Sequence, residues 1–143
     1  MSRYCHRSGV AFEWAGGDRL RTRQVRQAVA VHPDTGETVW FNHAHLFHES
    51  NLAPELREPL LAAFGSGGLP RNAYYGDGQA IEYSTLDEIR AGYAECTVSF
   101  PWRACDVLLL DNFLAVHGRE AYRGPRRILV AMANLCVSSG VAQ

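Results

Sequence analysis

No apolar run in this chain approaches the roughly 20 residues that span a bilayer, and the first residues lack the apolar core of a signal peptide. A cytoplasmic location without a membrane partner is the expectation. Charge of one sign is also scarce. With 14 basic and 15 acidic side chains and a net charge near −1, the chain has no electrostatic footprint for nucleic acid. Its densest basic stretch, RLRTRQVRQ at residues 19–27, reads as a solvated strand edge or loop. Cys5, Cys96, Cys105 and Cys136 show no CxxC spacing, so reduced structural thiols are favoured over zinc or disulfides. What is present is apolar residues, 47% of 143, enough for one core and a single domain over 1–143.

The most informative stretch is residues 106–132, DVLLLDNFLAVHGREAYRGPRRILVAM. Residues 107–110 and 128–132 are short continuous apolar runs bounded by turn chemistry, the pattern of buried strands. His117 then falls near the end of one strand and Arg127 near the start of the next. Alternation puts Arg127 and Arg126 on opposite faces, so one of the pair can look inward. An inward guanidinium needs an anion. Either it meets a carboxylate of the protein, with Asp106, Asp111 and Glu120 as candidates, or it grips one from a ligand.

Four segments, TGETVWFNHAHLFH, GLPRNAYYGDG, VSFPW and the 106–132 stretch, resemble in this order the C-terminal half of the TauD/TfdA Fe(II)/2-oxoglutarate oxygenases. The similarity is greatest to the SyrP-like branch, which hydroxylates amino acids in nonribosomal peptide pathways. The resemblance implies a mainly β fold with a few helices, a partial double-stranded β-helix of jelly-roll type. It implies Fe(II) and 2-oxoglutarate as cofactors, with His117 as the distal iron ligand and Arg127, beside Arg126, holding the far carboxylate of 2-oxoglutarate. Asn42, His43, Asn72 and Tyr74 are expected to frame the substrate pocket. Sulfonate-binding relatives carry an arginine where Ala131 stands, which points to an amino acid, free or carrier-bound, in place of a taurine-like substrate.

Relatives carry their first two iron ligands in a His-x-Asp or His-x-Glu motif upstream. In residues 1–116 that spacing occurs only at His32-Pro33-Asp34, which reads as turn chemistry of the hairpin, and the chain is expected to begin midway through the family's domain. About five or six strands are expected where a full barrel has eight. The open edge that this leaves predicts a homodimer or a complementing second chain. Three functions follow: an oxygenase whose missing ligands come from another chain or from His43 and His45, a non-catalytic pocket-bearing or interaction module without iron, and a cupin-like metalloenzyme using His43, His45 and His117.

Local signals set the remaining expectations. Residues 1–18 read as a short helix and a Gly16-Gly17-Asp18 turn, and residues 24–32 as a strand. Pro33-Asp34-Thr35-Gly36 is a turn returning residues 37–42 as the hairpin partner. His43 and His45 share a face if the strand continues through them. Residues 54–64 form a helix that Pro59 should split or delay. Residues 84–95 form another, capped by Ser84 with Asp87 reaching back. Residues 96–102 read as a strand. Relatives carry glycine where Cys105 stands, so a positive backbone angle there would strain the cysteine.

Overall fold

The computed structural model describes residues 2–134, in the order α1 (Ser2–Arg7), β1 (Ala11–Trp14), β2 (Leu20–Arg23), β3 (Val29–Val31), β4 (Thr38–Trp40), α2 (Ala44–Phe47), α3 (Pro54–Phe64) and α4 (Tyr83–Cys96). Cys136 lies outside the described residues. The strands form two separate antiparallel ribbons, β1 with β2 and β3 with β4.

The first ribbon occupies residues expected to be helix, turn and basic edge. α1 ends at Arg7, and Gly9, at φ +61°, lets the Val10 amide return to the Cys5 carbonyl at 2.9 Å. That reversal buries Cys5 and Val10 together and launches β1. Glu13 lies opposite Arg21 and pairs with it at 3.0 Å. Both side chains are exposed, so the pair fixes register more than it stabilises.

The second ribbon forms where the turn chemistry placed it. Val31 pairs with Thr38 and Val29 with Trp40, and the Gly36 amide closes the turn on the His32 carbonyl at 3.0 Å. The strand is shorter than expected, Val29–Val31 instead of residues 24–32. α2 then replaces the extended segment expected at His43-Ala44-His45. Asn42 is the reason: its Oδ1 accepts the Ala44 amide at 2.7 Å while its Nδ2 donates to the Gln27 carbonyl at 2.8 Å, which turns the chain into a helix.

α3 runs unbroken from Pro54 to Phe64 with Pro59 inside it, against the expected interruption. Proline removes one amide, the partner of the Glu55 carbonyl, and Glu55 is exposed, where water satisfies the orphan. α4 begins one residue earlier than expected. Glu82 is its N-cap and no side chain caps it, since Ser84 already lies within the first turn. Asp87, no longer a capping partner, pairs with Arg90 at 2.7 Å. Leu86 of α4 is fully buried, and with Ile81 it forms the second apolar centre, against which α2 packs.

Beyond α4 the expected strands are absent. Cys96 ends the helix, and residues 97–134 contain no ladder. Four strands are present among the described residues, fewer than the five or six expected. The apolar content is not at fault: Val107, Leu109 and Leu129 are 92%, 94% and 80% exposed, with no strand opposite them among the described residues. A strand is stable only in a ladder, and these segments have no ladder partner among the described residues.

Candidate functional site

The best-built polar centre surrounds Arg90 of α4. Its Nη2 donates to the His45 carbonyl at 3.1 Å and to Ser50 Oγ at 2.6 Å, and its Nη1 to Asp87. Ser50 Oγ lies 2.9 Å from His48 Nδ1, which also accepts the Ser50 amide at 3.1 Å. A nitrogen that accepts an amide carries no proton, so neutral His48 is protonated at Nε2, and the hydroxyl relays a donor from guanidinium to imidazole. Burial holds the His48 pKa below the ordinary histidine value and Arg90 adds to this, while Glu49 opposes it. His45 is lowered too, by burial first, then by His43 and Arg90. Its Nδ1 and the Arg90 Nε are buried without a hydrogen-bond partner among the described residues.

Glu49, one residue on, leads to a second set. Its amide donates to Asn72 Oδ1 at 3.1 Å, and its Oε2 accepts Asn72 Nδ2 at 2.9 Å. Its Oε1 accepts the Tyr83 hydroxyl at 3.0 Å, and Asn72 Nδ2 also reaches the Tyr74 hydroxyl at 3.2 Å. Burial and the Glu49 carboxylate raise the Tyr83 pKa. Asn72 and Tyr74 therefore meet, whereas Asn42 spends both ends of its amide on the backbone. Among the described residues no hydrogen bond joins Asn42 or His43 to Asn72 or Tyr74. An apolar cavity of about 220 Å³ between α2 and α3, lined by Leu46, Phe47, Leu56 and Leu60, has the Arg71 guanidinium 5.5 Å from the Phe47 ring.

A third contact ties the hairpin to the stretch that carries His117. His32 is 3% exposed, and its Nδ1 accepts the amides of Asp34 and Thr35 at 3.2 and 3.1 Å. Its proton therefore sits on Nε2, which donates to Asp111 Oδ2 at 2.8 Å. Phe113 stacks on Phe41 with ring centroids 5.0 Å apart and meets the His32 ring edge-on. Asp111 was a candidate partner for an inward arginine; it serves His32 instead, and Glu120 accepts from Ser99.

His117 and Arg127 are both exposed, and among the described residues neither side chain makes a hydrogen bond or ion pair. An interior Arg127 facing a cavity shared with His117 is thus not formed among the described residues. The cause is the missing ladder: Arg127 precedes a segment that has no opposing wall. Arg126 lies over the Tyr122 ring at 4.7 Å, a cation–π contact that requires no anion.

Iron on two histidines and a carboxylate would need three such side chains converging. Among the described residues no three His, Cys, Asp or Glu side chains do so. His43 and His45, on one helical turn with ring centroids 6.2 Å apart, do not gather with His117, so the cupin-like arrangement is not formed. The described residues alone do not fit the metal. Sequence reasoning passed over Arg90, Tyr83 and His32. Only His32 had a local signal, standing where a side-chain acceptor closes a Pro-Asp-Thr-Gly turn.

Comparison with known proteins places this geometry. Residues 2–132 match the taurine catabolism dioxygenase TauD, TfdA family. The dapdiamide synthesis protein DdaC of Enterobacter agglomerans is 42% identical over 129 residues, 90% of this chain but 39% of that protein. A clavaminate synthase-like protein of Arabidopsis thaliana is 41% identical over 69 residues, 47% of this chain and 20% of the relative. The chain thus spans well under half the length of these relatives. No solved structure gives a significant match. No helix among the described residues is long and apolar enough to cross a membrane. With the match running from α1 through Arg127, the chain belongs to the TauD/TfdA dioxygenase family, whose members depend on Fe(II) and 2-oxoglutarate and whose fold is a jelly roll.

Proposed function

We propose that this chain contributes the distal histidine, His117, and the carboxylate-gripping arginine, Arg127, to a 2-oxoglutarate-dependent oxygenase. Its substrate is an amino acid, free or carrier-bound, in specialised peptide metabolism. The observation that carries this reading is the family match over residues 2–132, which takes in both positions, together with the likeness to a protein named for dapdiamide synthesis. A planar guanidinium presents two parallel N–H donors to a carboxylate, and in this chain Arg127 is not consumed by a protein anion among the described residues. Because no three metal-ligating side chains converge among the described residues, the remaining iron ligands are to come from another polypeptide segment. Asn72, held by Glu49, and Tyr74, whose hydroxyl accepts from Asn72, form the pocket wall that this half supplies.

The test is a covalent chimera in which residues 2–132 replace the matched 129 residues of the dapdiamide synthesis protein, assayed for Fe(II)-dependent succinate release from 2-oxoglutarate. Turnover is expected. His117→Ala should abolish it, and Arg127→Met should raise the KM for 2-oxoglutarate by about 100-fold or more, the loss of roughly two charge-assisted hydrogen bonds. An inert but folded chimera would support the second reading, a non-catalytic interaction module. That alternative is favoured by one observation: no three metal-ligating side chains converge among the described residues.

A further inference from the structure

We infer that the cavity between α2 and α3 binds a small aliphatic monocarboxylate, with its chain among the leucines and its carboxylate on Arg71. The site stands on this chain's own geometry and goes beyond the oxygenase reading, since His117 and Arg127 play no part in it.

The cavity measures about 220 Å³, and Leu46, Leu52, Leu56, Leu60 and Leu69 give it an aliphatic wall. Two polar side chains, His48 and Arg71, also line it, and no carboxylate does. An apolar chamber with a few convergent polar groups is the ordinary form of a small-molecule site. Here those groups donate, and one is a cation. Together with the leucines they select an amphipathic anion and reject an amine.

Arg71 is exposed and takes part in no ion pair among the described residues. Its guanidinium lies 5.5 Å from the Phe47 ring centroid. A guanidinium seated on a ring keeps its in-plane fork of N–H donors, which a carboxylate matches bidentately.

His48 is the second donor. It is 3% exposed, and its Nδ1 accepts the Ser50 amide at 3.1 Å, which leaves its proton on Nε2. Tyr83 meets the ring edge-on with centroids 5.5 Å apart, and among the described residues no hydrogen bond reaches Nε2. That nitrogen is not sealed in protein either: the buried side-chain nitrogens without a partner are those of His45 and Arg90. With the rest of the residue buried, the accessible N–H opens on the space that His48 lines, where an occupant supplies the acceptor.

A two-point clamp holds both donors. The Glu49 amide donates to Asn72 Oδ1 at 3.1 Å, and Asn72 Nδ2 donates to Glu49 Oε2 at 2.9 Å. These are the residues that follow His48 and Arg71, so the two loops are fixed before a ligand arrives and the ordering cost of binding falls. Volume sets the size of the occupant. A molecule in liquid water takes about 30 Å³, so the cavity holds roughly seven non-hydrogen atoms. Hexanoate matches that size, whereas acetate underfills it.

The experiment titrates the 143-residue chain at neutral pH with hexanoate, hexanol and hexylammonium, and with acetate and decanoate as a length series. The Arg71 side-chain and His48 ring resonances report binding. Hexanoate should bind saturably and at least about tenfold tighter than hexanol or hexylammonium, the worth of one charge-assisted contact. Affinity should rise from acetate to hexanoate and gain nothing further at decanoate. Arg71→Met should weaken hexanoate by the same factor and leave hexanol unchanged. Since Arg71 is exposed, that variant should fold as the parent does, which its far-UV spectrum checks. No saturable binding of hexanoate, equal affinity for hexylammonium, or parental affinity in Arg71→Met would each overturn the site. Affinity still climbing at decanoate would mean adsorption to the bare apolar segments 107–110 and 128–132, and would overturn it too. None of these readouts involves turnover, so the outcome is separate from that of the chimera.

Discussion

His32 donates from Nε2 to Asp111 Oδ2 at 2.8 Å across 79 residues of sequence, and so ties the β3–β4 turn to the segment that leads into His117. The imidazole is committed on both sides, accepting two turn amides at Nδ1. The hydrogen bond from His32 is the largest cause holding the Asp111 carboxyl below the ordinary carboxylate range, with the Phe113 amide next.

A carboxyl depressed in the folded state stabilises wherever it is ionised in both states, and that contribution disappears as the pH falls through the depressed value. The tie should therefore be constant from neutrality down to the usual carboxylate range and weaken progressively as the pH falls from there toward the depressed value. Protection of the Ala115 amide, followed by hydrogen exchange against pH, checks this. Asp111→Asn should remove the acid transition. Opening already near pH 6 would instead assign the tie to another group.

Arg90 makes a separate prediction for the buried histidines. His45 and His48 are held neutral chiefly by burial, with the guanidinium adding to it. For a histidine with a lowered folded pKa, the unfolded state binds protons first as pH falls. Packing of α2 on α4 should thus be constant above the ordinary histidine value and weaken as pH drops from it toward the lowered one. In Arg90→Met both ring titrations, read from the imidazole proton shifts, should move upward without reaching the ordinary value, since burial remains. The same change leaves the His45 carbonyl and Ser50 without their donor and should cost about 1–3 kcal/mol in a denaturant titration.

The elements legible in the sequence are those whose causes are local. Pro33 to Gly36 encode the hairpin turn in four residues, and the apolar spacing of α3 and α4 encodes helices that need no distant partner. Cys105 is at φ +74°, as the glycine of its relatives suggested. What failed depended on something outside the window being read. His43 and His45 looked extended until the Asn42 side chain, reaching Gln27, turned the backbone. Residues 107–110 and 128–132 have the composition of buried strands, but composition cannot supply the neighbours that would bury them. Of the candidate site, Asn72 and Tyr74 share a hydrogen bond that their two-residue spacing allows, while the facing of His117 and Arg127 depends on a wall not present among the described residues.

Pro59 sits in α3 at the cost of the hydrogen bond its amide would have made to the Glu55 carbonyl. Restoring the donor in Pro59→Ala should stabilise the helix by roughly 1–3 kcal/mol, less whatever the proline contributed by stiffening the unfolded chain. Thermal melting followed at 222 nm would show it, and a lower midpoint would contradict the account.

Cys105 provides the last prediction. At φ +74° its Cβ crowds the backbone, a conformation that costs a non-glycine residue about 1 kcal/mol or more, and the thiol is exposed with no packing to offset it. Cys105→Gly removes the crowding, while glycine's greater freedom in the unfolded state returns about 0.5–1 kcal/mol of that gain. The net should be a small stabilisation, at most about 1 kcal/mol. Cys105→Ala keeps the Cβ and should show none, so the difference between the two variants isolates the backbone angle from loss of the sulfur. Equal melting temperatures for the two would mean that the turn at Arg103 to Asp106 carries no such strain.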